Sequence, residues 1–170
     1  MEKDPLLRTD KELGEIYIRN VDMVYRLCYI YLKNAADAED AVQSIFLKLV
    51  QPDKSFSGRD HERAWLIVAT KNHCKDILKS FWNTRHVHLE VLPELPCRDD
   101  RAQSGEVLEQ LLSLPDKYKI VLYLYYFEDY SVKEISNLLG HKESTIQTQL
   151  ATGRKRLKFH LAGGQYEQSY

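Results

Sequence analysis

EDYSVKEISNLLGHKESTIQTQLATGRKRLK, residues 128–158, is the stretch that decides the fold. Ser131 with Glu134 three residues later forms a capping box, in which the Ser side chain takes a free backbone N–H and the Glu reaches back to the cap. The helix opened there is expected over Ser131–Leu139, burying Ile135, Leu138 and Leu139. Gly140 suits a left-handed exit. A further helix, from about Glu143 to Leu161, places Ile146, Leu150, Gly153 and Leu157 on one stripe. A short capped helix, a tight turn and a longer helix make a helix-turn-helix candidate. The stripe turns Thr145, Gln147, Thr148, Gln149 and Thr152 outward, and these side chains can meet base edges in a major groove. Arg154, Lys155, Arg156 and Lys158 follow in RKRLK. They suit phosphate, and they equally suit the dipole of a solvated last turn.

Working outward, Asp116–Phe127 is a strongly apolar helix carrying Ile120, Val121, Leu122, Leu124 and Tyr125. Before it, VLEQLLSL is a short amphipathic helix closed by Pro115. The N-terminal half shows three more helices. The first, about Asp10–Lys33, has Leu13, Ile16, Tyr17, Val21, Val24, Tyr25, Cys28 and Leu32 at three-four spacing. Asn34 and Asp37 are N-cap candidates for the second, whose stripe is Ala38, Ala41, Val42, Ile45, Phe46 and Leu49. After a polar loop, QPDKSFSGRDH, the third helix begins at Glu62 and carries Ala64, Trp65, Leu66, Val68, Ala69, Ile77, Leu78 and Phe81. Lys71, Lys75 and Lys79 share one of its faces. Periodicity disappears from Asn83 to about Arg101, where two prolines and mixed charges read as a linker. The expected architecture is all-α: two small helical domains, 1–83 and 105–170, joined by a flexible linker at 84–104.

The chain has 170 residues, 44% apolar and 29% charged, the composition of a folded, soluble protein. Its longest apolar run, IVLYLYYF, is too short to cross a bilayer, so no membrane insertion is expected. The opening MEKDPLLRTD is charged and has no secretory core. Cys28, Cys74 and Cys97 form an odd, widely spaced set that fits a reducing compartment and a cytoplasmic location. Net charge is −1, an average that hides the local basic cluster.

The segment LPDKYKIVLYLYYFEDYSVKEISNLLGHKESTIQTQLATGRKRLK (114–158) resembles region 4 of bacterial RNA polymerase sigma factors, and is most similar to the extracytoplasmic-function class. DAEDAVQSIFLKL (37–49) resembles the family's region 2.2 helix, and ERAWLIVATKNHCKDILKS (62–80) its regions 2.3 and 2.4. The resemblance runs in the family's order from about Leu13 to Phe159. It implies a factor that binds core RNA polymerase, through the β′ clamp helices and the β flap. It implies recognition of promoter −35 and −10 elements by separate domains, and help in melting DNA without ATP. An anti-sigma factor is implied as a further partner.

The same resemblance assigns residues. Asp37, Glu39, Asp40, Gln43, Ser44 and Lys48 would meet core polymerase; without it, they read as an ordinary solvated face. The loop before the third helix would capture a flipped −10 base, with Ser55, Phe56, Ser57 and Arg59 in it and Lys54 and Gly58 beside them. Phe56 reads equally as a plug beneath the loop. Lys71, Asn72, Lys75 and Lys79 would hold the unwound strand. Trp65 reads as core rather than stacking platform, and Trp82 as either. The −35 set is Lys142, Ser144, Thr145, Gln147, Thr148, Gln149 and Thr152, with Arg154, Lys155, Arg156 and Lys158 on phosphate. Many members carry Arg at the place of Val68, Lys and Arg at Gln147 and Gln149, Arg at Thr152, and a capping Ser where Lys142 stands. This chain therefore lacks several family cations, which puts the −35 sequence in question but not the mode of reading.

Other chemistries find no support in the sequence. His86, His88 and Cys97, with His73 and Cys74, match no compact zinc spacing. No nucleophile–base pair, phosphate loop or metal motif is present, so neither an enzyme nor a cofactor is expected. A free-standing helix-turn-helix regulator and a helical interaction protein without DNA are the alternatives.

Overall fold

The computed structural model describes residues 8–51, 54–84 and 109–162, and all regular structure among them is helical. The chain divides into two compact units, Met1–Glu94 and Leu95–Tyr170. That division falls within the stretch expected as a linker. Residues 85–108, including His86, His88 and Cys97, lie outside the described residues.

The first unit contains α1 (Asp10–Leu32), α2 (Ala35–Leu47) with a 3₁₀ turn (Lys48–Val50), and α3 (Arg59–Thr84). Thr9 and Glu12 cap α1 reciprocally, and Lys33 leaves it in the left-handed region at φ 57°. Of the two cap candidates for α2, Asn34 is the cap: its side chain accepts the Asp37 N–H at 2.9 Å. The α2 stripe is buried at Ala38, Ala41, Val42, Ile45 and Leu49, with Phe46 half-buried.

On α1 the expected stripe is only half of the interior face. Tyr17 is 45% exposed, whereas Asn20, Met23, Leu27 and Ile30 are buried. Both α2 and α3 pack on α1, so its second half is covered over most of its circumference. A one-sided pattern cannot describe a helix enclosed from two sides. The inward face of α3 is Glu62, Leu66, Ile67, Thr70 and Cys74. Val68 and Ala69 are half-buried and Phe81 is 39% exposed, contrary to expectation. The run AWLIVA is apolar all round, so periodicity alone could not set its phase. Cys28 and Cys74 are free thiols in this core. Their mutual hydrogen bonding and their burial push the Cys28 thiol far up, leaving it inert.

One polar group in this interior is unusual. Glu62, 5% exposed, accepts from Arg19 Nε at 2.9 Å, Arg19 Nη2 at 2.7 Å and Asn20 Nδ2 at 2.7 Å. Asn20 also donates to the Ile16 carbonyl. This lock ties the first turn of α3 to α1.

The second unit contains a helical turn at 109–112, then α4 (Asp116–Tyr126), α5 (Val132–Leu139) and α6 (Glu143–Ala162). Leu111 and Leu114 are buried before Pro115 turns the chain into α4. α4 is buried continuously from Tyr118 to Leu124. It is packed by both α5 and α6. Gly153 of α6 lies so close to α4 that a Cβ there would stand 2.9 Å from Leu122 Cδ1. The Tyr123 hydroxyl donates to the buried Glu128 carboxylate, closing the α4–α5 corner.

Candidate nucleic-acid interface

The helix-turn-helix is built as its sequence dictates. Ser131 Oγ accepts the Glu134 N–H at 3.2 Å, and Glu134 Oε2 accepts the Ser131 N–H at 2.8 Å. These bonds hold the Glu134 carboxyl below its ordinary range. Gly140 stands at φ 71°, its N–H on the Ser136 carbonyl. The Ser136 hydroxyl donates to the His141 carbonyl, so the turn is closed from both ends. Ile135, Leu138, Ile146 and Leu150 form the interior between α5 and α6, while Leu139 is only half-buried.

This packing exposes Lys142, Ser144, Thr145, Gln147 and Thr148. Thr148 Oγ1 is occupied by the Ser144 carbonyl at 2.9 Å, which leaves its methyl and its oxygen lone pairs for contact. Two expected members depart. Thr152 is half-buried, and Gln149 is half-buried with its Oε1 enclosed and unpartnered. Gln149 lies on the boundary between the Ile146–Leu150–Gly153 stripe and the surface, where one turn of phase decides its direction.

The basic cluster is also divided. Arg154 lies over the Tyr125 and Tyr126 rings at 5.5 and 5.6 Å and donates to the Tyr126 hydroxyl. Arg156 lies 5.1 Å over Tyr118. Cation–π contact holds both against α4. Lys155 is exposed. The Lys158 side chain lies outside the described residues.

In the first unit, the outward face of α3 is continuous. Trp65, Val68, Lys71, Asn72, Lys75, Lys79 and Trp82 fall within about a third of the helix circumference. At about 1.5 Å per residue they extend roughly 25 Å along the axis. Asn72, Lys75 and Lys79 are exposed, and Trp82 is 77% exposed. Burial, and then the charge of Lys75, push the Lys71 ammonium down. The Cys74 side of the helix faces the core, so the cations are all turned to solvent or half-way to it.

An aromatic cluster stands at the N-terminal end of this face. Phe56 meets His61 edge-on at 5.4 Å and Trp65 at 5.7 Å. Lys54 Nζ lies 5.7 Å over the Trp65 ring. The Ser57 N–H donates to His61 Nδ1 at 3.1 Å, which leaves the ring proton on Nε2. Three expectations change here. Arg59 is not in the loop but opens α3, three residues before the expected start. Trp65 is half-buried and belongs to the loop cluster rather than the core. Phe56 is neither a sealed plug nor bare, being half-buried. His61, absent from the expected site, is the hinge of the cluster. Its position three residues before Ala64 carried no signal until the helix start was fixed.

On α2, Glu39, Asp40 and Gln43 are exposed, and Asp37, Ser44 and Lys48 are partly so. Leu47, 68% exposed, adds an apolar side chain to that face which the sequence reading did not include.

Residues 16–84 match the family model described as Sigma-70 region 2, and residues 104–157 match Sigma-70, region 4. The chain is 27% identical over 138 residues to the RNA polymerase sigma factor SigV of Bacillus subtilis, covering 81% of this chain and 83% of that one. It is 27% identical over 157 residues to the ECF RNA polymerase sigma factor SigW of the same organism, covering 82% and 83%. The chain belongs to the extracytoplasmic-function sigma factors. Its function is that of a sigma factor in transcription initiation, and regions 2 and 4 are the parts of such factors that bind core polymerase and promoter DNA. The ECF factor SigE of Mycolicibacterium smegmatis is 28% identical over 160 residues, 87% of this chain and 61% of that one.

The same fold occurs in the sigma factor RpoE of Bartonella quintana, in complex with the anti-sigma factor NepR. The TM-score is 0.73 at 17% identity, over 89% of this sigma factor and 97% of that chain. CnrH, in complex with the cytosolic domain of CnrY, gives a TM-score of 0.60 at 18% identity, over 91% and 90%. Sigma factors are regulatory proteins, not enzymes. No helix among the described residues is long and apolar enough to cross a membrane.

Proposed function

We propose that this sigma factor directs core RNA polymerase to promoters by dividing the work between its two units, and that it helps melt DNA by holding the unwound strand. The domains of this reading are 1–83, a linker at 84–104, and 105–170. In the second unit, Lys142, Ser144, Thr145, Gln147 and Thr148 present the −35 reading surface, with Lys155 and Lys158 on phosphate. Gln147, with an amide donor and acceptor side by side, matches the adenine edge in the major groove. Gln149 and Thr152 stand at its margin. Arg154 and Arg156 chiefly fix α6 to α4.

In the first unit, Lys71, Asn72, Lys75 and Lys79 track the unwound −10 strand. Ser55, Phe56 and Ser57, with His61 and Trp65, receive a base taken out of the stack, and Arg59 reaches phosphate from the first turn of α3. The lost pairing and stacking are offset by new stacking on aromatic rings and by cations along the backbone, which requires no nucleotide hydrolysis. The exposed face of α2, with Asp37, Glu39, Asp40, Gln43, Ser44, Lys48 and Leu47, meets the β′ clamp helices, and the second unit meets the β flap. An anti-sigma factor that covers these faces would hold the protein inactive in the cytoplasm.

The observation that supports this most strongly is the α3 face, where aromatic rings flank a row of cations on the side opposite the core. Transcription in vitro with purified core polymerase tests it. The protein is expected to start transcription at defined promoters, and Lys75→Ala with Lys79→Ala to abolish open-complex formation while core binding survives. A protein that leaves core polymerase unable to initiate would overturn the reading.

A further inference from the structure

We propose that Arg8, which precedes both matched regions, is a wall of the base-capture pocket. Its guanidinium donates to an oxygen of the captured nucleotide, either a base carbonyl or the adjoining phosphate. The inference rests on the reading of residues 54–61 as that pocket.

Three features place Arg8 there. Its Cζ lies 4.6 Å over the centre of the Phe56 ring. Its Nη1 donates to the Leu49 carbonyl at 3.0 Å. Its Nη2 is buried and has no hydrogen-bond partner. A guanidinium is a rigid fork with five donors, and here one prong is used and the other is not. A buried donor without an acceptor is costly, and native structures seldom keep one unless something else fills the need. The aromatic cluster around Phe56, the ring beneath Arg8, points to what that is. Phe56, Trp65 and His61 are flat faces for a base. Lys54 over Trp65 adds a second cation for the backbone. A nucleotide is the ligand that brings a ring to stack and oxygen acceptors in and beside its plane.

The anchor on Leu49 gives Arg8 its use. Leu49 is 2% exposed and belongs to the turn that leads into the loop. The Leu49 anchor therefore holds the guanidinium before any strand arrives, and Nη2, enclosed in the free protein, is reached as the half-buried Phe56 gives way to the base, so binding does not have to immobilise a long side chain. Arg8 differs in this from Lys75 and Lys79, which stand free on the helix surface and contribute charge without fixed geometry.

The test uses holoenzyme made with wild-type, Arg8→Ala, Arg8→Lys and Lys75→Ala sigma factor. The probe is a fluorescein-labelled single-stranded oligonucleotide selected from a random pool by wild-type holoenzyme. Circular dichroism and tryptophan emission verify that each variant is folded. Arg8→Ala is expected to weaken binding about tenfold, the value of one hydrogen bond to a charged donor, and to flatten base preference at a single position. Arg8→Lys keeps the charge and loses the fork, so affinity recovers partly and the flattened preference remains. Lys75→Ala weakens all sequences alike. An abasic nucleotide at the affected position separates the two acceptors: the Arg8→Ala effect vanishes on it if the base is the partner and persists if phosphate is. Equal binding by wild type and Arg8→Ala overturns the proposal. So does tighter binding by Arg8→Ala, which would make Arg8 a plug. If Arg8→Ala behaves as expected and Lys75→Ala binds like wild type, the α3 track fails and the Arg8 contact stands. Failure of wild-type holoenzyme to select any strand overturns both.

Discussion

Removing Arg19 should destabilise the first unit more than neutralising Glu62, although the two form one ion pair. The side chains differ in exposure, 32% for Arg19 and 6% for Glu62. Arg19→Ala leaves a buried carboxylate whose remaining donor in the lock is Asn20 Nδ2 at 2.7 Å. Breaking a buried pair in this way costs about 3–5 kcal/mol, and the Asn20 contact places this case near the lower end. Glu62→Gln leaves a neutral amide of the same shape, and Arg19 can turn to water. Its cost is that of a half-exposed ion pair and weakened hydrogen bonds, about 1–2 kcal/mol. The gap of about 1–2 kcal/mol corresponds to roughly 4–16 °C in a unit of this size. Both tryptophans, Trp65 and Trp82, lie on α3, so intrinsic emission during urea unfolding reports this unit alone. Urea is preferred to guanidinium because it does not screen the pair. Equal midpoints, or a lower midpoint for Glu62→Gln, would show that Glu62 is not desolvated and would refute the reasoning.

The two helical glycines give opposite expectations. Gly14 has nothing within 4 Å of an added Cβ, so Gly14→Ala should stabilise α1 by about 0.5–1 kcal/mol, read as a higher denaturant midpoint. Gly153→Ala meets Leu122 and Tyr118, and overpacking of about 1–3 kcal/mol exceeds its helix gain, so the second unit should melt earlier. Ser131→Ala should cost the second unit about 1 kcal/mol through its lost cap. Glu134 has a depressed folded value, so its contribution is present above the ordinary carboxylate range and is lost as pH falls through the depressed value. Melting between neutral pH and pH 3 should therefore show a smaller acid sensitivity in Glu134→Gln than in wild type. On −35 duplex, Lys155→Ala in holoenzyme should reduce the slope of log affinity against log salt by about 0.9, and Arg154→Ala by clearly less.

The elements were legible in the sequence where a local chemical signal marked them. Ser131 with Glu134, Asn34 before α2, and Gly140 after α5 each announce a helix end through their own hydrogen bonds. The stripe of α6 was legible because one side of that helix meets solvent. Phase was lost where a helix is enclosed, as in α1 beyond Asn20, or where apolar residues run without a break, as in AWLIVA. The site was legible as a set of cations and a loop, but not in its joints. Arg59 was misplaced because Gly58 before it has no side chain to mark a helix start, and this hid His61. The Arg19–Asn20–Glu62 lock was invisible because its members are distant in sequence and look like surface residues.

The departures on α6 and the continuity of α3 together set where this factor's affinity must come from. Gln149 and Thr152 are drawn partly inward, Arg154 and Arg156 are held by tyrosines, and Gln147 and Gln149 carry no charge. Each phosphate contact forgone removes about one unit of counterion release, so in the proposed −35 role duplex binding by this unit is expected to be weak and only mildly salt-dependent. Weak reading still discriminates when it is intramolecular, because polymerase holds the second unit near the duplex at high effective concentration. The α3 face keeps its lysines and its aromatic cluster, and its register is set by the buried lock at its first turn. In the proposed −10 role, specificity gained there is expected to be expressed only after the strands part. A factor built this way should commit to a promoter chiefly through the open strand, and single substitutions in the −10 strand should reduce transcription more than equivalent substitutions in the −35 duplex. Measured by abortive initiation on a promoter carrying each change in turn, the opposite ranking would place the main reading on α6 and contradict the argument.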